Sequence, residues 1–333
     1  MASKSAFLIS GIALLMLLAG CSESPETGDT STGAFIGGDE GVLLGFLEGA
    51  PPSEVFDTSS DFSLSIRLEN AGENDIIAEN YDNAPVLRIT GIDPADFGTT
   101  SSALTKTIDV ELMGAKLDPQ GNVIQGTIET IDFPTDGSNL QYQGEVSGNV
   151  EFKLRASLCY EYVSKAQAKL CVREDLLGTT GKEGICDPNA DKNIENSGAP
   201  VHVSNFIESV MGSNKVAFVF KIKHLGQGNV YQRGLSPACD ASSHANRDKV
   251  WVEINNPHLG SMTCSGLGGT GAVTTGSGNT QIQGYTTLYG GERSIRCTLE
   301  LDDPQDLEKV VEIRLKYAYE DYADTTVTVK HAT

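Results

Sequence analysis

Two stretches of the chain decide the fold: LCYEYVSKAQAKLCV at residues 158–172 and LKYAYEDYADTTVTV at residues 315–329. In both, apolar side chains alternate with polar ones, which is the period of a β-strand with one face on a core. At a shift of 157 residues, Leu158, Tyr160, Tyr162, Leu170 and Val172 meet residues of similar character. The pattern predicts two related β-hairpins, each carrying a Tyr-x-Tyr pair.

A second internal match lies upstream of each stretch. FSLSIRLENAGENDI at residues 62–76 aligns with VAFVFKIKHLGQGNV at residues 216–230, at a shift of 154. Two matches in the same order and at nearly the same shift indicate a tandem repeat. Helical periodicity is confined to short turns at 205–211 and 303–310. We therefore predict an all-β protein of two tandem immunoglobulin-like β-sandwich domains, with a jelly roll as the alternative topology.

The repeat and the breaker residues divide the chain. About 300 residues follow the N-terminal region, which is more than a single core usually holds. We predict domain 1 at 35–174, a polar linker at 175–199 and domain 2 at 200–333.

The N-terminus, MASKSAFLISGIALLMLLAGC, has one Lys, an apolar run and small residues before Cys21. This is typical of an export signal, and the run is too short to span a bilayer easily. Leu18-Ala19-Gly20-Cys21 resembles a lipobox, which implies cleavage after residue 20 and lipidation of Cys21. The alternatives are an ordinary secretory signal or an uncleaved anchor. Residues 21–34 are predicted to be a flexible tether. The export signal and the lipid together predict a body outside the cytoplasm, lipid-anchored to the cell membrane and facing outward.

The charge limits the classes of partner. The chain has 24 basic and 45 acidic side chains, a net charge of −21. Removal of the signal takes away one Lys and no acid, leaving −22. Nucleic-acid affinity requires Lys and Arg against phosphates, so we predict no nucleic-acid partner. The predicted partners are the membrane, through the N-terminal lipid, and another envelope protein or a second copy of this chain.

Six cysteines follow Cys21, and an even number in an exported chain predicts disulfides rather than a metal site. The six are Cys159, Cys171, Cys186, Cys239, Cys264 and Cys297. Cys159 and Cys171 can face each other across the first predicted hairpin, or one of them can pair with Cys186 and clamp the linker. Cys264 with Cys297 is the preferred pair in domain 2. Cys239 then pairs with the first domain or its linker, which would lock the domains together.

Acidic residues in the predicted linker form a calcium candidate. Asp187, Asn189, Asp191 and Glu195 place oxygen atoms at alternating positions, as in an EF-hand loop. Lys192 stands where such a loop needs Gly, and Gly198 where it needs Glu. A solvated linker is the competing interpretation, and no cofactor is predicted.

Catalytic motifs are scarce. Gly266-x-Gly268-x-x-Gly271 has the spelling of a dinucleotide fingerprint, but no helical pattern follows it, so a flexible glycine loop is expected. The five histidines are scattered, with no HExxH pair and no GxSxG elbow. We predict that the protein is not an enzyme.

The assembled motifs resemble uncharacterised archaeal cell-envelope lipoproteins with immunoglobulin-like repeats, similar to cell-adhesion-related or surface-layer-associated modules. The resemblance is carried by GVLLGFLEGAPPSEVF at 41–56, LENAGENDI at 68–76, GAPVHVSNF at 198–206 and the two Tyr-x-Tyr stretches. It implies an architecture and brings no catalytic residues. The expected function is a non-enzymatic, lipid-anchored structural or protein-interaction module. The alternative is an extracytoplasmic lipoprotein that binds a solute, a glycan or calcium.

Overall fold

The structure is a computed structural model that describes residues 33–181 and 184–332. The predicted signal at 1–20, the lipidation site Cys21 and most of the tether lie outside these residues. Within the described residues, no helix has the length and apolar character needed to cross a membrane.

The described residues form 22 strands and three short 3₁₀ helices, at Ala78–Asn80, Pro94–Phe97 and His244–Asn246. The strands are β1 Val42–Phe46, β2 Glu54–Phe56, β3 Asp61–Phe62, β4 Leu64–Asn70, β5 Val86–Thr90, β6 Thr105–Thr107, β7 Lys116–Leu117, β8 Val123–Ile124, β9 Ile128–Phe133, β10 Leu140–Gln141, β11 Asn149–Val172, β12 Ile194–Asn196, β13 Val201–Gly212, β14 Lys215–His224, β15 Asn229–Tyr231, β16 Lys249–Ile254, β17 Gly260–Ser265, β18 Gly268–Val273, β19 Thr275–Ser277, β20 Ile282–Thr287, β21 Glu292–Leu301 and β22 Leu307–Lys330. The predicted all-β class with β-sandwich architecture is confirmed.

The two Tyr-x-Tyr stretches are not hairpins, and that prediction was wrong. Each lies inside one continuous strand of 24 residues, β11 or β22. These two strands pair with each other, antiparallel, over their whole length. Tyr160 lies opposite Tyr319 and Tyr162 opposite Tyr317. For β11 the physical reason is that residues 158–172 contain no Gly, Pro, Asn or Asp to form a turn, so the strand continues. Residues 315–329 contain Asp321 and Asp324, and there the continuous pairing with β11 accompanies the extended strand.

The pairing of β11 with β22 joins the two halves into one body. The part of the chain that the structure describes contains three sheets of three or more strands. They are β1-β4-β9, β13-β14-β21-β17-β19, and a ten-stranded sheet in the order β18-β20-β16-β22-β11-β5-β6, to which β2, β12 and β15 also pair. The first part of β11 pairs with β5, whereas the first part of β22 pairs with β16. Each long strand therefore runs through both sandwiches, and the buried apolar residues of both halves form one cluster.

The repeat has a structural meaning at the centre of this pair. At the shift of 157 residues Glu161 is equivalent to Ala318, and these two residues are direct partners. The two halves are thus related by a local twofold axis between these residues. Four buried tyrosines surround it with ring centroids 5.8–6.3 Å apart, namely Tyr160, Tyr162, Tyr317 and Tyr319.

Buried tyrosine hydroxyls need hydrogen-bond partners, and the same turn supplies one in each half. The backbone N–H of Asn74 donates to the Tyr162 hydroxyl at 3.2 Å, and that of Gly228 donates to Tyr319 at 2.7 Å. Asn74 and Gly228 are equivalent at the shift of 154. The match seen in the sequence therefore reflects a shared contact between turn and tyrosine.

Other local predictions need correction. The proposed helical turn at 205–211 lies wholly in strand β13, and the second half of the one at 303–310 lies in β22. Most of the glycine stretch 266–278 is also strand. It contains β18, an edge strand of the ten-stranded sheet, and β19, an edge strand of the five-stranded sheet. Glycine is required there for backbone geometry, since Gly269 and Gly271 have φ of 87° and 80°.

Candidate functional site

The predicted linker forms a clasp along two sheets. We define the clasp as residues 184–199. Its strand β12 pairs with β11, and its side chains cover the edge of β13. Asn196 imitates a backbone partner there, accepting from the Val203 N–H at 2.8 Å and donating to its carbonyl at 2.9 Å. An exposed strand edge invites pairing with other chains, so the clasp protects β13.

A groove of about 430 Å³ lies between the clasp and strands β11 and β22. Its apolar rim contains Ile185, which is 68 % exposed, and Val310, which is 43 % exposed. The charged lining residues are Lys169, Asp187, Asp191, Lys192, Glu195 and Glu308. Four acids against two bases make the groove negative. This combination of an apolar rim and acidic walls suits a partner segment with apolar and basic side chains.

Lys192, which lines the groove, pairs with a buried carboxyl group beneath it. Its ammonium lies 3.3 Å from the carboxylate of Glu208, whose side chain is fully buried. Glu208 also accepts the backbone N–H of Cys171 at 2.9 Å, whereas its Oε1 has no hydrogen-bond partner within the described part of the chain. Burial raises the pKa of Glu208 to about 7, although the Cys171 N–H and Lys192 act in the opposite direction.

Glu208→Gln is expected to make stability less dependent on pH. Because the folded-state pKa lies above the unfolded value of 4.5, the folded protein keeps this proton to higher pH, and stability is lost as the pH rises from 4.5 towards 7. The wild type should lose about 2 kcal/mol more than the variant between about pH 4.5 and pH 6.5. Urea unfolding at a series of pH values measures the difference.

Glu300→Gln is the matched control. Glu300 pairs with Lys215 at 3.1 Å, but its side chain is 54 % exposed. Exposed pairs contribute little, so this variant should keep the pH dependence of the wild type. Parallel pH profiles for Glu208→Gln and the wild type would show that Glu208 does not titrate in this range.

The calcium candidate is not assembled. Asp187 accepts the N–H of Asn189, while Glu195 accepts from Ala34 N–H and Gln167. Asp187, Asp191 and Glu195 all line the groove, yet in residues 33–181 and 184–332 no three His, Cys, Asp or Glu side chains are grouped to hold a metal. The position that needs Gly holds Lys192, and its ammonium binds the Asp187 carbonyl at 2.6 Å.

The cysteines form three disulfides. Cys264 pairs with Cys297, as preferred from the sequence. Cys171 pairs with Cys186, so the alternative in which the linker is clamped is confirmed and the Cys159–Cys171 bridge was wrong. Cys159 instead pairs with Cys239, which joins the two halves. Three disulfides are typical of an oxidising, extracytoplasmic compartment.

One histidine pairs with a carboxylate, but its role is structural. His331 Nδ1 lies 2.9 Å from Asp57, which also accepts the N–H groups of Ala332 and Val146. These bonds hold the pKa of Asp57 at about 2, with the Ala332 N–H as the largest cause. The pair therefore fixes the end of β22 to the first sandwich.

The Glu208–Lys192 pair was missed by the sequence reasoning. A bulge in β13, where Asn205 has a φ of 52°, shifts the register between Ser204 and Ile207. After the bulge Phe206 and Glu208 face inward, whereas strict alternation from Val201 and Val203 places them outward. An Asn inside a strand pattern was the one available signal.

Comparisons with known proteins identify no family. No protein-family profile matches the sequence, and no curated protein matches it. One solved structure that resembles the chain is described as the manganese lipoxygenase of Gaeumannomyces graminis with a partial structure of zonadhesin of Komagataella pastoris. The identity is 11 % and the TM-score 0.11, over 88 % of this chain and 93 % of that chain. A likeness this weak carries no argument about fold or function.

Proposed function

We propose that the protein is a non-enzymatic cell-envelope protein, lipid-anchored through Cys21, that acts as a structural or protein-interaction module. The observation that carries this proposal is the groove under the clasp. Its exposed Ile185 lies next to Cys186, which a disulfide fixes to β11. An apolar contact point next to a disulfide loses less entropy on binding than one in an unconstrained loop, so it suits a protein partner.

The position of the tether supports the same proposal. The described chain begins at Gly33, and the N–H of Ala34 donates to Glu195 at the wall of the groove. A lipid at Cys21, which precedes Ala34 by 13 residues, would therefore keep this end of the body near the membrane. An envelope protein beside the membrane, or a second copy of this chain, is then available as partner.

Amine cross-linking on intact cells, read by mass spectrometry, tests the proposal. Lys169 lines the groove with 68 % of its side chain exposed, whereas Lys153 lies in the first-sandwich part of β11 and is 72 % exposed. Links from Lys169 to another envelope protein, or to a second copy, are expected in excess of links from Lys153. Peptides from two isotopically labelled copies separate self-links from intrachain links.

Ile185→Asp provides the second measurement. The change removes an apolar contact and adds a negative charge to the groove, so the yield of Lys169 links should fall about tenfold. Links that are equally frequent from both lysines and unchanged in the variant would contradict the proposal. The disulfide Cys171–Cys186 remains in this variant, so its folding can be checked independently by disulfide mapping.

A further inference from the structure

The outer face of the sheet β13-β14-β21-β17-β19 has an unusual composition. Val216, Phe218, Phe220 and Ile222 of β14 face the core, so the residues between them lie on the other face, where Val219 and Lys221 are half-buried and Ala217 is buried. The strand register then aligns outward residues in rows across the sheet. We call this surface the hydroxyl face. Its nine hydroxyl side chains, all exposed or half-buried, are Ser204, Ser209, Ser261, Thr263, Ser265, Thr275, Ser277, Ser294 and Thr298.

The hydroxyl face is also positive in a strongly acidic protein. It carries four bases, Lys215, Lys221, Lys223 and Arg296, and two acids, Glu292 and Glu300. Lys221 pairs with Glu292 at 2.9 Å and Lys215 with Glu300 at 3.1 Å. Within the described residues, Lys223 and Arg296 have no carboxylate partner. A local positive field on a chain of net charge −21 directs anions to this one surface.

The equivalent face of the other sandwich shows that this is not a general property of the fold. On sheet β1-β4-β9, Arg67 is neutralised by Glu69 at 2.6 Å, and Ser65 donates to Asp132. At the shift of 154 residues Glu69 is equivalent to Lys223, so the charge is reversed. Exposed Ser and Thr alone would follow from strand propensity, but the reversed charge does not.

The hydroxyl face has a groove at one end. The groove has a volume of about 410 Å³, and its lining includes His202, Ser204, Asn205, Lys221, Lys223 and the carboxylate of Glu292. The bulge at Asn205 lies at this groove, where the register of β13 shifts. The ammonium groups of Lys221 and Lys223, an amide and the Ser204 hydroxyl thus line one groove, in which Glu292 is already paired with Lys221.

We propose that the hydroxyl face binds an anionic polysaccharide. Lys223 and Arg296 bind its carboxylate or sulfate groups, the Ser and Thr rows bind the sugar hydroxyls, and the groove holds an acidic sugar unit. A flat, repetitive surface favours a polymer, because many weak contacts add through the chain. This activity is separate from the protein contact proposed above, which uses the clasp groove.

Affinity measurements with the mature full-length chain test the proposal. The probes are polygalacturonate and dextran sulfate, with neutral dextran and duplex DNA as comparisons, at about 0.15 M salt. Polygalacturonate, dextran sulfate or both should bind, dextran should not, and DNA should bind more weakly. Preference for one of the first two identifies a carboxylated or a sulfated polymer. Absence of binding to both, or DNA binding of equal strength, overturns the proposal.

Two variants and one control locate the site. Lys223→Gln/Arg296→Gln should weaken binding about tenfold. Lys153→Gln/Lys309→Gln removes the same charge from exposed positions elsewhere and should leave the affinity unchanged. Thr263→Val/Thr298→Val preserves side-chain shape and strand propensity but removes two hydroxyls. It should weaken polysaccharide binding without strengthening DNA binding. Equal loss in both charge variants would overturn the assignment to this face.

Discussion

Gly72→Ala is expected to destabilise the protein by about 3 kcal/mol, because an added Cβ has no space at this turn. The Cβ would overlap the Tyr162 hydroxyl and lie 2.8 Å from the carbonyl oxygens of Glu40 and Gly198. The backbone at Gly72 does not require a positive φ, so the loss is steric. Gly226→Ala should have a similar effect, since its Cβ would overlap the Tyr319 hydroxyl and lie 2.6 Å from Pro200.

Gly45→Ala in β1 is the matched control. An added Cβ at Gly45 meets nothing within 4 Å, and glycine inside a strand is less favourable than alanine. Urea unfolding should show the control at or above wild-type stability and both turn variants well below it. If Gly72→Ala and Gly226→Ala matched the control, the tyrosine contact would not be what holds the two turns.

Gly72 and Gly226 occupy equivalent positions of the repeat, and this repeat is a part of the fold that could be predicted from the sequence. Alternation identified β4, β14 and β22, because each packs one face on the core over many residues. The repeat was also visible, since both halves place a glycine turn against a buried tyrosine. Patterns of this kind are local, and local physics is enough to produce them.

The connection between the two halves could not be predicted from the sequence. A tyrosine repeat is equally compatible with two separate hairpins and with two long strands that pair across a twofold axis. The choice depends on a pairing between residues about 150 positions apart, which leaves no periodic signal. The absence of turn residues in 158–172 favoured a continuous strand, but the equal spacing of Cys159 and Cys171 around Lys165 suggested a turn.

The candidate groove was partly predictable. The sequence placed acids and a clamped cysteine in the linker, and both line the groove. It did not place Glu208 beneath Lys192, because the bulge in β13 reverses the facing of every residue that follows it. A single extra residue in one strand thus converts an expected surface carboxylate into a buried one.

Removal of the Cys159–Cys239 disulfide, as Cys159→Ser/Cys239→Ser, should have the largest effect on stability. The bridge closes a loop of 80 residues, and its loss should destabilise the protein by about 4 kcal/mol through the entropy of the unfolded chain. The Cys171–Cys186 bridge closes 15 residues, so Cys171→Ser/Cys186→Ser should lose about 3 kcal/mol. Urea unfolding of both variants measures these values.

The same variant tests whether the bridge, rather than the surrounding contacts, docks the loop of residues 232–248 on the first half. Near its start, Arg233 bonds Asp82 at 2.9 Å, and the Gly234 N–H donates to the buried Glu161 at 2.9 Å. Amide hydrogen exchange should stay slow at Gly234 and become fast around Cys239 when the disulfide is absent. Slow exchange throughout the loop, together with a stability loss smaller than that of Cys171→Ser/Cys186→Ser, would show that the side-chain contacts join the halves without the bridge. Fast exchange confined to the loop would instead leave the paired strands β11 and β22 as the element that keeps the two sandwiches together.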